Sequence, residues 1–274
     1  MRSLTSMETE EYSAQTTLTI RRSDMTKVIA VANHKGGVGK TTSAASIGAA
    51  LSTKGYNTLL VDLDAQANLT ASLLTDDKEP TRTIYNALKE RADLPVIQLR
   101  ERLSLVPSSL ELAGIELELS GVMGREYVLK DIIDPLTEAF DVILLDCPPS
   151  LGLLTINAFV ACTEVVIPLT AEALPFKGLT MIEEAITMVK KRLNPSLNLS
   201  GIIITRWEGR KLNKMVEEAT RHTYGDIVYK TKIRTNIAIA EAPLAKEDIH
   251  TYNLQSNGSK DYIALTDEII TRWS

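Results

Sequence analysis

Val28-Ile29-Ala30-Val31-Ala32-Asn33-His34-Lys35-Gly36-Gly37-Val38-Gly39-Lys40-Thr41-Thr42 is the stretch that decides how the rest of the chain is read. An apolar run of strand length passes into a glycine-rich turn, and an alanine-rich helical stretch, Lys40–Thr53, follows. Phosphate binding calls for this order. Glycines let backbone N–H groups converge on phosphate oxygens, and the N-terminus of the helix adds partial positive charge. In that setting Lys40 reaches the β- and γ-phosphates of a nucleoside triphosphate and the Thr41 hydroxyl ligates Mg2+. His34 stands where the strict G-x-x-x-x-G-K-[ST] pattern has its first glycine, and Gly36 and Gly37 supply the flexibility instead.

Working outward, strands are expected over residues 28–33, 57–62, 103–107, 141–146, 164–168 and 199–205. Helices are expected over 83–91, 109–119, 126–139, 181–193, 211–224 and 260–273. Near-continuous Val/Ile/Leu strands alternating with helices imply a parallel sheet covered on both faces. The expected fold is a single doubly wound, mostly parallel α/β domain over residues 27–274, with ligands beyond the carboxyl ends of its strands. Residues 1–26 read as a polar leader without fixed structure. Two further strands end on carboxylates, one on Asp62 with Asp64 just beyond it, the other on Asp146. At the edge of a parallel sheet that carries a phosphate loop, such groups hold Mg2+ or orient an attacking water.

The balance of 44% hydrophobic and 24% charged residues is that of an ordinary globular protein. Cys147 and Cys162, both in apolar stretches, read as buried thiols of a reducing compartment, and the scattered His34, His222 and His250 have no metal-ligand spacing. No apolar run approaches the roughly 20 residues that a membrane helix needs, and Glu8, Glu10 and Glu11 stand where a signal peptide has its apolar stretch. The expected location is the cytoplasm. Charge is unevenly placed: residues 190–234 hold eleven basic and four acidic side chains, within a chain whose net charge is −5.

The loop 35–42 resembles the deviant phosphate loop of the ParA/MinD family, which is marked by an additional early lysine. The resemblance continues through 61–70 (VDLDAQANLT), 140–152 (FDVILLDCPPSLG), Asn157-Ala158 and 237–243 (IAIAEAP), and it is best for the Soj-like ParA partition branch. It implies an ATP- and Mg2+-dependent ATPase that closes as a face-to-face homodimer, with Lys35 crossing to the partner's phosphates. Lys35, Gly36, Gly37, Val38, Gly39, Lys40, Thr41 and Thr42 then hold the phosphates. Asp64 orients the hydrolytic water, and Thr41, Asp62, Asp64 and Asp146 serve Mg2+. Glu172 matches a glutamate that touches the partner's ribose, and Thr205, Arg206, Ile233, Arg234 and Asn236 lie where the adenine sits, although most relatives carry proline in place of Arg234.

ParA-branch proteins bind DNA without sequence preference, which points to Arg206, Arg210, Lys211, Lys214 and Arg234 and to a nucleoid-associated location. The resemblance also implies a ParB-like or other cargo-bound protein that stimulates hydrolysis. MinD-like relatives end in a basic membrane-binding helix. Residues 260–273 carry a net charge of −1, and their apolar residues fit core packing better, so no membrane partner is expected. A metabolic ligase or synthetase of related fold is the remaining alternative.

Overall fold

The computed structural model describes residues 26–75, 80–172 and 176–273. The leader reading therefore falls outside the described residues, Thr26 excepted. In chain order the elements are β1 (Lys27–Val31), α1 (Lys40–Thr53), β2 (Thr58–Asp62), α2 (Asn68–Leu73), α3 (Ile84–Glu90), β3 (Ile97–Arg100) and β4 (Leu103–Val106). Next come α4 (Ile115–Glu118), α5 (Val128–Ile133), β5 (Val142–Asp146), α6 (Leu153–Ala161), β6 (Glu164–Thr170), α7 (Phe176–Arg192) and β7 (Asn198–Trp207). The chain finishes with α8 (Lys211–Tyr224), β8 (Val228–Arg234), α9 (Ile237–Glu241), α10 (Ile249–Asn253) and α11 (Asn257–Trp273).

The strands form one eight-stranded sheet in the order β3-β4-β2-β5-β1-β6-β7-β8. Every neighbouring pair is parallel except β3–β4. Period-two alternation divides each central strand between two cores. Val28, Ala30, Leu59, Val61, Ile143 and Leu145 pack under α3, α5, α6 and α7. Ile29, Leu60 and Leu144 pack under α1, α10 and α11 on the other face. Gly48 brings α1 close to β2, because a Cβ there would lie 2.5 Å from Leu60 Cδ2. The mostly parallel, doubly covered sheet is as expected.

Several elements were not anticipated. β8 (VYKTKIR) turns Lys230 outward on a sheet edge, a device that blunts edge pairing but breaks the apolar run a sequence reading relies on. β3 is a short antiparallel edge strand, and α2, α6, α9 and α10 were likewise unassigned. The C-terminal helix buries Tyr262, Leu265 and Ile269 against α1 and the sheet. Among the described residues no helix is long and apolar enough to cross a membrane.

The basic segment 190–234 does not form one surface. Lys190 Nζ donates to Asn198 Oδ1 at the start of β7 (2.6 Å), whereas Arg206 lies eight residues further along that strand, roughly 26 Å away at about 3.3 Å per residue. Lys190, Lys191 and Arg192 thus stand at the end of the sheet opposite to the phosphate loop.

Candidate functional site

The loop from Asn33 to Lys40 is stretched between two neighbouring strands. Asn33 Nδ2 donates to the Pro168 carbonyl in β6 (2.6 Å), and its Oδ1 accepts the Lys35 N–H (2.9 Å). Farther along, Thr205 Oγ1 at the end of β7 donates to the Val38 carbonyl (2.9 Å). Gly37 (φ 72°) and Gly39 (φ 92°) occupy left-handed backbone, which costs a residue with a Cβ roughly 1–2 kcal/mol. α1 starts at Lys40, and the Lys40 side chain curls back into the loop, its Nζ donating to the Lys35 carbonyl (3.3 Å). Burial holds the Lys40 pKa below its usual value, against the opposing pull of Asp146.

β2 and β5 are in register, so that Asp62 and Asp146 are direct neighbours at the loop edge of the sheet. Their surroundings separate them. Asp146 is fully buried, and among the described residues neither carboxylate oxygen has a well-formed hydrogen bond, although the Thr41 hydroxyl lies close enough to pull its pKa down. Burial, followed by the nearby Asp62 charge, pushes the Asp146 pKa well above the usual carboxylate range. An unpaired buried carboxylate is costly, and this one sits beside Lys40 and Thr41. That donor set fits a hydrated Mg2+, which takes one or two protein oxygens and keeps waters and phosphates for the rest. Among the described residues no group of three or more His, Cys, Asp and Glu forms a closed cation site.

Asp62 departs from the expectation that it serves the metal. Its Oδ2 accepts from Thr70 N (2.9 Å) and Thr70 Oγ1 (2.7 Å), and its Oδ1 accepts from Asp64 N (3.1 Å). It is wholly buried, and burial raises its pKa to about 6 despite those bonds. Asp64 is half-buried and lines a cavity of about 930 Å3 together with loop residues 36–42. Its Oδ1 accepts the Gln66 N–H (3.0 Å).

The same cavity has an apolar part built by Ile233, Ile239, Ala242, Pro243 and Tyr262, so its lining suits a ligand with one charged and one flat apolar portion. Thr205, Arg206, Arg234 and Asn236 also line it. Asn236 caps α9, its Oδ1 accepting the Ala238 N–H (3.1 Å). Arg234 is not a free cation: its Nη2 donates to Asp261 Oδ1 (2.6 Å) and its Nε to Asp261 Oδ2 (2.9 Å). Asp261 thus holds Arg234 in a bidentate ion pair at the cavity wall.

At the rim, one carboxylate serves two cations. Glu172 lies 3.5 Å from Lys35 Nζ and 3.7 Å from Arg206 Nη1, with more than half of each of the three side chains exposed. Pairs so exposed are worth ~0–1 kcal/mol, so Lys35 is easily released. Arg210, Lys211 and Lys214 are exposed at the start of α8, where Arg210 pairs with Glu208 (2.8 Å). Glu217 takes up charge on that helix, pairing with Arg221 and Lys232.

Sequence reasoning missed the residues that fasten the site: Asn33, Thr70, Ser108, Asn213 and Asp261. Asn213 is buried, its Oδ1 accepting from Arg210 N (3.0 Å) and its Nδ2 donating to the Ala171 carbonyl (2.7 Å), which docks the start of α8 on the residue that follows β6. Only Asn33, a polar residue closing an apolar strand, carries a local signal. Cys147 and Cys162 are buried, and burial raises both thiols, Cys162 to about 12, so they are inert at neutral pH.

Comparison with known proteins gives a consistent picture. A family profile described as an AAA domain matches residues 26–199. The sporulation initiation inhibitor protein Soj of Bacillus subtilis is 38% identical over 249 residues, covering 89% of this chain and 98% of Soj. The chromosome partitioning protein ParA of Myxococcus xanthus is 37% identical, covering 90% of this chain and 88% of that protein. A solved structure from Mycobacterium smegmatis, described as cobyrinic acid a,c-diamide synthase with bound ATP analog and magnesium, superposes with a TM-score of 0.79. Its sequence is 35% identical, and the match covers 90% of this chain and 96% of that one.

Proposed function

Because the chain belongs to the ParA/MinD family of P-loop ATPases, we propose that it is a partition ATPase that segregates or positions DNA or another cargo. ATP and Mg2+ close two copies face to face, the dimer binds DNA without sequence preference, and a cargo-bound, ParB-like protein stimulates hydrolysis and release. The observation that carries this reading is the pair of lysines on one loop. Lys40 is buried and directed inward, whereas Lys35 is exposed on the rim and, among the described residues, held by a weak ion pair. A second cation, exposed at the rim and loosely held, supports contact with phosphates from outside the subunit.

Each residue has a part that follows from its surroundings. The loop N–H groups and Lys40 bind the phosphates of the same subunit. Thr41 and Asp146 would hold Mg2+, which would supply positive charge to offset the charge developing on the phosphates. Asp64 orients the attacking water. The base lies against Ile233, Ile239 and Pro243. Released from Glu172, Lys35 reaches the partner's γ-phosphate, and the freed Glu172 faces the partner's ribose.

DNA contact falls to Arg206, Arg210, Lys211 and Lys214, since Lys190–Arg192 stand at the far end of the sheet and Arg234 is committed to Asp261. In the ATP-analogue state the protein is expected to bind duplexes of unrelated sequence with similar affinity. The affinity should fall with salt at a log–log slope of about −0.9 per phosphate neutralised. Arg210→Ala combined with Lys214→Ala should flatten that slope by about two phosphates' worth, read by fluorescence anisotropy across a salt series. Salt-independent binding, or no binding with ATP, overturns the DNA reading. Light scattering with ATP analogue against ADP tests dimer closure in the same samples.

A second reading, an ATP-dependent amide-forming synthetase, is favoured by the description of the Mycobacterium smegmatis structure. ATP turnover that begins only when a small carboxylic acid is supplied selects it over partition. The charge and packing of α11 speak against a membrane-bound positioning switch, since its apolar side is already spent on the core.

A further inference from the structure

Asp62 ends β2 at the edge of the cavity, is wholly buried, and yet is absent from the cavity wall. Its place is in a closed ring of hydrogen bonds. Thr70 Oγ1 in α2 donates to Asp62 Oδ2 and accepts the Ser108 N–H (2.9 Å). Ser108 Oγ, two residues beyond β4, donates to the Asp64 carbonyl (2.8 Å), and the Asp64 N–H returns to Asp62 Oδ1. The ring therefore grips Asp64 by both backbone polar groups from two other elements, while leaving its carboxylate to the cavity. Asp62, Thr70 and Ser108 are all buried.

The grip opposes local strain. Ala67, three residues past Asp64, is held in left-handed backbone (φ 50°), and its N–H donates to the same Asp64 carbonyl (2.9 Å). A non-glycine residue in that region persists where surrounding structure over-determines it, and Ser108 contributes from outside the segment by holding the carbonyl that the Ala67 N–H also uses.

We propose that Ser108 is a positioning residue for hydrolysis, clamping the Asp64 backbone through its hydroxyl, and that Asp62 and Thr70 act as the anchor of that clamp and not as metal ligands. The inference rests on the proposed role of Asp64 as the group that orients the water. Phosphate binding through Lys40 and the glycine loop does not pass through the ring. Loss of the clamp should thus separate hydrolysis from binding, since sub-ångström to ångström misplacement of a catalytic group costs up to about 10²-fold in rate.

The test is Ser108→Ala in the full chain, with Ser108→Thr as the hydroxyl-retaining control. The expected result is a fall in kcat for ATP of about ten- to a hundredfold, with KM and the affinity for a fluorescent ATP analogue unchanged within about twofold and recovery in the threonine variant. In nucleotide-free protein, amide hydrogen exchange at residues 64–67 should accelerate while that of α1 stays as before. Adding Ser108→Ala to Asp64→Ala should lower kcat no further, because a residue that acts through Asp64 has nothing left to position.

Equal losses in kcat and affinity, multiplicative effects in the double variant, or unchanged exchange overturns the proposal. If Ser108→Ala does not fold, Thr70→Val against Thr70→Ser must show the same split, and its absence is equally decisive. A parent protein without ATP hydrolysis overturns the functional reading itself, which is a separate outcome from a parent that hydrolyses and a Ser108 variant that matches it.

Discussion

Lys35→Ala is expected to bind ATP within about twofold of the parent and to lose stimulated hydrolysis by ~10³–10⁵, the range measured for cations supplied in trans to phosphoryl transfer. Little else should change. The side chain is 59% exposed, and its ion pair to Glu172 has a separation of 3.5 Å; pairs of that kind contribute no more than ~1 kcal/mol to stability. The loop geometry uses Lys35 through its backbone, the N–H bonding to Asn33 and the carbonyl to Lys40, and alanine keeps both.

The in-trans character can be read directly by mixing. A Lys35→Ala subunit keeps its own Asp64, and an Asp64→Ala subunit keeps its own Lys35, so a mixed dimer holds one complete site. Random pairing of two inactive proteins should restore about a quarter of the parental rate, half the dimers being mixed with one of two sites competent. No recovery on mixing, or a Lys35→Ala protein with full stimulated activity, removes the crossing role and with it the reason for a dimer.

How far such reasoning can be taken from sequence depends on whether neighbours in space are neighbours in the chain. The phosphate loop is contiguous, so its strand, glycines and helix start were legible together. The sheet was legible wherever a strand is buried on both faces, as in β2 and β5, and failed at the edge, where β8 alternates Lys230, Lys232 and Arg234 with Thr231 and Ile233. Asp62 and Asp146 look alike in the sequence, each closing an apolar strand. Their surroundings diverge: Asp62 meets Thr70 and, through it, Ser108, whereas Asp146 lies beside Thr41 without a well-formed hydrogen bond among the described residues. Those partners arrive from α2 and the end of β4, and no local pattern announces them. Charge misled in the same way. Residues 190–234 form one basic tract on paper, yet β7 carries its two halves to opposite ends of the sheet, and Asp261 reaches back from α11 to occupy Arg234.

Asp64→Ala should give the complementary phenotype: ATP bound, the dimer closed, and hydrolysis slowed by ~10²–10⁴, the usual contribution of a positioned general base. Substitution here is unusually clean. Every ring contact of residue 64 is made by its backbone, the N–H to Asp62 and the carbonyl to Ser108, and alanine retains both. The carboxylate forfeits only its bond to the Gln66 N–H, an exposed turn contact of a kind worth ~1 kcal/mol. With Lys40, Thr41 and Asp146 untouched, the affinity for ATP should hold. Because release depends on hydrolysis in the proposed cycle, the variant should remain on DNA after ATP is chased, for as long as its residual turnover allows. A gel-filtration or anisotropy time course after the chase reads this against the parent. Prompt dissociation of the variant would mean that nucleotide exchange, and not cleavage of the γ-phosphate, opens the dimer, and Asp64 would then lose its place as the timer of the cycle even if it remained essential to the chemistry.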